Sequence, residues 1–148
     1  MSEYDLNGRN IIMTGAGRGL GRAMTVALTE AGANVIAAAH IAEDFPELEA
    51  ACSAYAGQVH CITADITKSA DCDRSGAEGL ETFGSVQGLV NNAGLTFTYI
   101  WPTGHKTEVW RATGEMPKFW EASDEVIQNV IDANFVGADK LARRMAPL

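Results

Sequence analysis

A glycine-rich stretch near the amino terminus has the composition of a phosphate-binding turn. It reads, in order, Thr14, Gly15, Ala16, Gly17, Arg18, Gly19, Leu20 and Gly21. A short apolar run precedes it and an alanine-rich, helix-like run follows it, so the stretch joins a predicted strand to a predicted helix. The first N–H groups of a helix lack intrahelical partners and favour an anion. The stretch therefore predicts a site for a phosphate or pyrophosphate.

The spacing of the glycines distinguishes two patterns. The common dinucleotide pattern G-x-G-x-x-G fits Gly15 and Gly17, but Leu20 stands at its third glycine position. The pattern T-G-x-x-x-G-x-G fits throughout, because its four fixed positions are Thr14, Gly15, Gly19 and Gly21. Glycine is required where a backbone turns sharply or approaches a pyrophosphate closely. Glycines also serve close packing of a helix on a strand, which is the alternative for this turn taken by itself.

Turn or polar residues also follow each of the later predicted strands. Ala39 and His40 end the second strand, Asp65 follows the third, and the sequence Asn-Asn-Ala-Gly at 91–94 follows the fourth. The carboxyl ends of parallel strands meet at one edge of a sheet, and ligands of open α/β sheets bind outside that edge. We therefore expect these residues to share one site with the glycine-rich turn.

The elements that would hold these residues alternate between strand and helix. Apolar strands are predicted at 10–14, 34–39, 59–63 and 86–90, and helices at about 20–31, 46–56, 69–83 and 124–145. This alternation predicts an α/β fold, a doubly wound parallel sheet between two layers of helices. The first helix is expected to bury an apolar stripe made of Leu20, Ala23, Met24, Ala27, Leu28 and Ala31.

Composition and charge exclude several classes of function. The 148 residues carry a net charge of -8, which disfavours a nucleic-acid partner. No apolar run approaches the ~20 residues of a membrane helix, and the amino terminus lacks the apolar segment of a signal peptide. The spacing of Cys52, Cys61 and Cys72 matches no zinc or redox pattern, so we expect reduced thiols and no metal site. These features predict a cytoplasmic protein whose residues 1–148 form one domain or part of one.

Taken together, the motifs resemble those of the short-chain dehydrogenase/reductase family. The glycine-rich turn, Ala64-Asp65-Ile66, Asn91-Asn92-Ala93-Gly94 and an Asn in the run 131–137 occur in the order and at the separations usual in that family. The resemblance extends over essentially the whole chain. It implies a Rossmann-type fold and an NAD(H)- or NADP(H)-dependent oxidoreductase that acts on a carbonyl compound or a secondary alcohol.

The resemblance also assigns roles to individual residues. It implies that Gly15 to Gly21 wrap the pyrophosphate, that Asp65 contacts the adenine beside Ile66, and that Asn91 helps to tie the central strands together. The resemblance further implies that three residues line the cofactor, namely Asn92, Ala93 and Gly94. From the residues alone, Asp65 could instead cap the following turn, and the two asparagines could be plain turn residues.

Asn134 is the catalytic residue that the resemblance implies within this sequence. Asparagine is a poor helix former, so its position inside the predicted last helix suggests that the helix is disturbed there. By resemblance, Asn134 bends the helix, holds a water and extends a proton relay. The alternative is a polar side chain that only caps a kink.

The choice between the two nicotinamide cofactors depends on the end of the second strand. A carboxylate there would bind the ribose hydroxyls of NAD and repel a 2′-phosphate. The strand instead ends at Ala39 and His40, and the acids Glu43 and Asp44 are expected to come too late to reach the ribose. Arg18 could reach a 2′-phosphate, with help from His40, so the sequence favours NADP(H) over NAD(H). The alternatives are a solvated arginine and a neutral loop histidine.

The resemblance leaves part of the catalytic apparatus unassigned. The family also uses a serine and a Tyr-x-x-x-Lys pair, but Tyr4, Tyr55 and Tyr99 have no lysine four residues later. We expect that pair to belong after Leu148, so that this sequence ends after the fourth strand and the following helix. The rival hypotheses are a non-catalytic dinucleotide-binding module and a subunit completed by a second chain.

Two further regions carry expectations about substrate and assembly. Residues 95–122 are predicted to form a long loop that shapes the substrate pocket, acts as a lid or covers a neighbouring chain, or else packs on its own small core. Its large aromatic residues are Phe97, Tyr99, Trp101, Trp110, Phe119 and Trp120. The helix at 124–145 has a counterpart in the family that often pairs with the same helix of another subunit, which implies a homo-oligomer.

Overall fold

A parallel sheet of four strands lies at the centre of the chain in a computed structural model that describes residues 5–95, 118, 120 and 122–147. The strands are β1 (Asn10–Thr14), β2 (Asn34–Ala39), β3 (Val59–Thr63) and β4 (Gly88–Val90). Their order across the sheet is β3-β2-β1-β4, and each neighbouring pair is parallel. The direction of strand addition reverses between β1 and β4, which makes the carboxyl end of β1 the switch point where such sheets bind ligands.

Helices cover both faces of this sheet. They are α1 (Gly19–Glu30), α2 (Phe45–Cys52), α3 (Ser69–Phe83), α4 (Asp124–Ile131) and α5 (Gly137–Met145). On one face Met13 and Val35 pack with Leu48 of α2, and on the other Ile12 and Ile36 pack in one cluster with Leu141 of α5. Both faces of β1 and β2 are therefore buried, as the apolar strands require. The predicted doubly wound α/β fold in three layers is confirmed.

The element boundaries depart from the sequence expectation at two places. The strand predicted at 86–90 begins at Gly88, because its ladder with β1 starts at the pair Ile11 and Gly88. The helix predicted to reach residue 56 ends at Cys52. Gly57 then packs so close to the backbone of Ala33 that a Cβ would collide with the Ala33 carbonyl oxygen. The chain must leave the helix early to make that approach and enter β3.

The buried face of α1 differs from the predicted apolar stripe. Leu20 is 77% exposed, whereas Gly21, Thr25 and Thr29 are buried. The hydroxyl of Thr25 donates to the carbonyl of Gly21 at 2.8 Å, and that of Thr29 donates to the carbonyl of Val26 at 2.9 Å. Each buried threonine thus satisfies its polar atom on its own helix, which removes most of the cost of burial. The expectation that Leu20, Ala23 and Ala27 belong to the buried stripe is therefore wrong, because all three are exposed.

The last predicted helix is divided into three parts. Ser123 caps α4, since its hydroxyl oxygen accepts the N–H of Val126 at 3.3 Å. A π-helical turn, Asp132–Val136, then separates α4 from α5. A π-turn inserts one residue into a helix and is frequent at functional sites. The predicted disturbance at Asn134 is therefore present.

Candidate functional site

The carboxyl ends of all four strands open into one cleft. Its volume is about 290 Å³, at the lower end of the range for small-molecule sites. Residues that follow the strands line it: Gly15 after β1, His40 after β2, Asp65 and Ile66 after β3, and Ala93 and Gly94 after β4. A smaller cavity adjoins it, and Gly17, Arg18 and Asn92 line that one together with Gly15 and His40. The structure thus brings most of the predicted site residues together.

The glycines of the turn meet different surroundings. Gly15 has φ +65°, and a Cβ there would lie 2.9 Å from the Cα of Ala93. A Cβ on Gly21 would collide with the carbonyl oxygen of Gly15. Gly17 packs against Asp44, and a Cβ on this glycine would lie 2.9 Å from the Asp44 Cβ. These three glycines let the turn pack against its neighbours.

Gly19 is required for a different reason. It has φ +54°, but a Cβ at this position would meet no described atom within 4 Å. It is also the first residue of α1, where the N–H groups of Gly19, Leu20 and Gly21 point out of the helix end without intrahelical partners. Arg18 at the N-cap makes no side-chain cap, and the first turn holds no acid. The open side of the turn is therefore suited to an anion.

A hydrogen-bonded lock joins the turn to the segment after β4. The buried hydroxyl of Thr14 accepts the N–H groups of Asn92 at 3.1 Å and Ala93 at 3.0 Å, and donates to the carbonyl of Val90 at 3.3 Å. The Asn92 carboxamide donates to the carbonyls of Thr14 at 3.0 Å and Gly15 at 3.2 Å. These bonds fix the distance between the two sides of the cleft.

The role of tying the strands falls to Asn92 and not to Asn91. The Asn91 carboxamide donates to the Ala138 carbonyl on α5 at 3.4 Å, so it connects the sheet edge to a helix. In an extended segment successive side chains point to opposite sides, so the side chains of Asn91 and Asn92 meet different partners. The Asn92 side chain therefore points toward β1, while its expected contribution to a cofactor site stays a prediction.

Asp65 caps the turn that follows it. One of its carboxylate oxygens accepts the N–H of Thr67 at 3.0 Å and the Thr67 hydroxyl at 2.7 Å, and the other lies 3.5 Å from the Lys68 ammonium. Burial by itself raises the pKa of Asp65, but these hydrogen bonds and the lysine outweigh it and hold the pKa below its ordinary value. The capping alternative is thus realised, and Asp65 also lines the cleft.

Asp71 supports Asp65 and was not singled out from the sequence. Its carboxylate accepts the Asp65 N–H at 2.9 Å and pairs with Arg74 at 2.8 Å. The hydrogen bond from the Asp65 N–H, followed by that from Arg74, lowers the pKa of Asp71. An acid in the first turn of α3, shortly after the polar end of a strand, is the pattern that could have revealed it.

Asp44 lies at the glycine-rich turn, contrary to the sequence expectation. A short 3-10 turn, Ala42–Asp44, folds the chain back after β2. As a result the Asp44 carboxylate lies 2.6 Å from the Arg18 Nε and lines the smaller cavity with His40. Counting residues from the end of β2 assumes an extended chain and so places this acid too far away.

Asn134 holds the segment after β4 from the helix side. Its carboxamide oxygen accepts the Leu95 N–H at 2.7 Å and its amide nitrogen donates to the Leu95 carbonyl at 2.8 Å. Gly94 passes so close that a Cβ there would collide with the Asn134 Oδ1. The side chain thus pairs with the backbone as a neighbouring strand would, while its predicted part in a proton relay stays a prediction.

One face of α4 completes the cleft and was missed in the sequence. The residues on it, at helical spacing, are Val126, Asn129 and Val130, and Ala133 of the π-turn continues the same spacing. Their spacing of three and four residues is the pattern that could have shown that they share a face. The predicted aromatic loop at 95–122 lies outside the described residues apart from positions 95, 118, 120 and 122.

Comparison with known proteins gives a consistent family. The family model described as short chain dehydrogenase matches residues 9–148. L-rhamnose 1-dehydrogenase (NADP(+)) of Thermoplasma acidophilum is 38% identical over 93 residues, which are 62% of this chain and 36% of that protein. NADPH-dependent pterin aldehyde reductase of Arabidopsis thaliana is 28% identical over 140 residues, covering 95% of this chain and 50% of the relative. The chain thus spans half or less of these relatives.

A solved structure agrees with the sequence relatives. A putative short-chain alcohol dehydrogenase from Sinorhizobium meliloti superposes with a TM-score of 0.76 at 26% identity. The match covers 95% of this chain and 49% of that one. No helix among the described residues is both long and apolar enough to cross a bilayer.

Proposed function

Since this chain belongs to the short-chain dehydrogenase family, we propose that it holds NADP(H), in preference to NAD(H), for hydride transfer to or from a carbonyl compound or secondary alcohol. The observation that carries the proposal is the cleft lined by residues that follow all four strands. Ligands of doubly wound sheets bind at that edge. We further propose that residues 1–148 act as one dinucleotide-binding unit.

The residues of the cleft fit a dinucleotide part by part. The free N–H groups of Gly19, Leu20 and Gly21 would bind the pyrophosphate, because the space beyond Gly19 is open. Asp65 and Ile66 would hold the adenine. The residues that would line the rest of the bound molecule are Asn92, Ala93 and Gly94. When bound, the nicotinamide supplies or accepts the hydride.

Arg18 and His40 support the choice of NADP(H). Both line the smaller cavity beside the glycine-rich turn, where the adenosine ribose of a dinucleotide bound at that turn would lie. The Arg18 side chain is 55% exposed, so its guanidinium is accessible to a phosphate and can bind it in bidentate fashion. Two of the relatives carry NADP(+) or NADPH in their names.

A pair of titrations tests the cofactor. NADPH and NADH are titrated into the protein and followed by nicotinamide fluorescence, and we expect Arg18→Ala to weaken NADPH about tenfold, the value of one charge-assisted contact, with NADH changed less than about twofold. Arg9→Ala is the matched control, because it removes an exposed arginine at the opposite end of β1. Equal losses for both dinucleotides would remove the phosphate argument, and binding of neither would remove the proposed function.

Asn134 is the residue of this chain that we propose for catalysis. Its clamp on Leu95 orients the segment that bounds the cleft, and the π-turn around it breaks the regular helical ladder. Asn134→Leu should lower turnover at least tenfold while NADPH affinity stays within about threefold, since the pyrophosphate site is on the other side of the cleft. A parallel loss of affinity would show that the residue acts only through the fold.

Turnover distinguishes the proposal from its alternatives. NADPH binding with carbonyl-dependent oxidation supports the reductase. Binding without turnover supports a non-catalytic dinucleotide-binding module, or a subunit completed by a second chain, because the sequence contains no Tyr-x-x-x-Lys. The family's proton donor is in neither case assigned to a residue of this chain.

We also propose that the protein forms a homo-oligomer through the last helical region. Ile127, Ile131 and Phe135 are 39%, 44% and 72% exposed, so this region presents apolar side chains to the outside. Sedimentation equilibrium should give a multiple of 15.8 kDa, and Ile131→Glu should reduce it to the single chain. A monomer for the unaltered chain would refute the assignment.

A further inference from the structure

An ion pair stands at the rim of the cleft where the cofactor preference is decided. The Arg18 Nε lies 2.6 Å from an Asp44 carboxylate oxygen. The Asp44 side chain is only 20% exposed, because it packs against the backbone of Gly17. Both side chains line the smaller cavity together with Ala39 and His40. The pair is therefore part of the cavity wall and is held there by the turn.

The charge balance at this rim is close to zero. Asp44 neutralises Arg18, and the next arginine of the turn, Arg22, is occupied by Glu47 of α2 and by the Gly17 carbonyl. Among the described lining residues of the smaller cavity, Arg18 and Asp44 are the only ones with a permanent charge. A 2′-phosphate approaching Arg18 must therefore displace a carboxylate that already binds it.

We propose that Asp44 determines cofactor selectivity by competing with the 2′-phosphate of NADP(H) for Arg18. This inference rests on the proposed dinucleotide site. In the protein without a 2′-phosphate, the Asp44 carboxylate binds Arg18 and Asp44 lines the cavity, where its carboxylate would accept hydrogen bonds from the ribose hydroxyls of NAD(H). The acid that the end of β2 lacks at Ala39 and His40 is thus supplied by the 3-10 turn.

Asp44→Asn tests the competition because it removes the charge and keeps the shape. The dissociation constants of NADPH and NADH are measured by fluorescence titration for the unaltered chain and the variant. We expect NADPH to bind about fivefold more tightly and NADH to bind equally or more weakly, as expected for releasing one partly buried ion pair. Adenosine 2′,5′-bisphosphate and AMP, measured by calorimetry, should show the same divergence without the nicotinamide.

Asp139→Asn is the matched control. Asp139 pairs with Arg143 at 2.8 Å on α5, away from the cleft, so the variant loses the same net charge and the same kind of ion pair. It should leave both dissociation constants within about twofold of the unaltered values. A gain in NADPH affinity equal to that of Asp44→Asn would show an effect of net charge alone and would overturn the inference.

The Arg18→Ala background separates competition from simple repulsion. If Asp44 acts through Arg18, Asp44→Asn should change NADPH affinity less than about twofold once Arg18 is absent. A fivefold gain that persists there would overturn the inference. A selectivity ratio unchanged by Asp44→Asn would overturn it too, while leaving the proposed function intact; loss of all binding by the unaltered chain would instead remove the proposed function.

Discussion

Replacing Thr14 by valine isolates the hydroxyl that joins the glycine-rich turn to the segment after β4. The two side chains have nearly the same shape, and Thr14 is fully buried, so packing changes little. What the variant loses is a hydroxyl that accepts two N–H groups, those of Asn92 and Ala93, and donates to the Val90 carbonyl. The perturbation is thus confined to three hydrogen bonds.

The cost follows from the groups left without partners. A buried N–H that loses its acceptor costs about 1–3 kcal/mol, and Thr14→Val leaves two such groups. Asn92 and Ala93 are only partly buried, so water can reach them and the lower half of that range applies. We therefore expect the free energy of unfolding to fall by about 2–4 kcal/mol. Thr14→Ser keeps the hydroxyl and loses one methyl group, which costs about 1 kcal/mol.

Urea unfolding followed by far-UV circular dichroism measures both variants against the unaltered chain. With a slope of about 1.5 kcal/mol/M, the valine variant should shift the midpoint downward by about 1.3–2.7 M and the serine variant by less than about 1 M. Equal midpoints for the two variants would refute the reasoning, because losing the hydroxyl would then cost no more than losing one methyl group.

Three other substitutions test separate features. Gly19→Ala should cost only about 1–2 kcal/mol of stability from its positive φ, yet raise the NADPH dissociation constant at least tenfold in calorimetry, because the new methyl group enters the open phosphate space. Gly21→Ala should instead abolish folded protein in circular dichroism, since its Cβ collides with the Gly15 carbonyl. The hydrogen bond from the Asp65 N–H is the largest cause of the lowered pKa of Asp71, which lies below its ordinary value of 3.8. The Asp71 carboxylate therefore contributes to the free energy of unfolding above pH 3.8, and this contribution is lost as the pH falls through the lower pKa of the folded protein. Asp71→Asn should therefore make the free energy of unfolding, measured by urea titration, depend less on pH below about pH 4.

The parts of the site that were predictable are those fixed by chain direction. Parallel strands bring their carboxyl ends to one edge whatever the side chains do, so the glycine-rich turn, His40, Asp65 and the segment 91–94 were expected together. The cleft is lined by Gly15 of the turn, by His40 and Asp65, and by Ala93 and Gly94 of that segment. The order of strands and helices needed only the alternation of apolar runs and turn residues. Local periodicity and topology were sufficient for the fold.

The features of the site that were not predictable depend on which of several possible hydrogen-bond partners a side chain contacts in the folded protein. An asparagine amide can bind a ligand or a backbone equally well, and the choice of Asn92 for the carbonyls of β1 is set by a neighbour 78 positions away in sequence. A prediction of buried residues from apolar side chains alone omits Thr25, which can be buried because its hydroxyl donates a hydrogen bond to a carbonyl of its own helix. Asp44 comes closer than a residue count suggests because the 3-10 turn that it ends shortens the path from β2.

The two ends of the cleft are held in different ways, and this difference has consequences for function. At the end near Gly94, the segment after β4 is held on both flanks: Asn92 within it donates to the carbonyls of Thr14 and Gly15, and Asn134 binds the backbone of Leu95 from the helix side. At the other end, the rim depends on one ion pair between the half-exposed Arg18 and Asp44. Backbone hydrogen bonds are directional and costly to leave unmade, whereas an ion pair at a surface exchanges partners at little cost. Substitutions at the first end should therefore act through stability and geometry, while substitutions at the rim should change which dinucleotide is preferred without disturbing the fold.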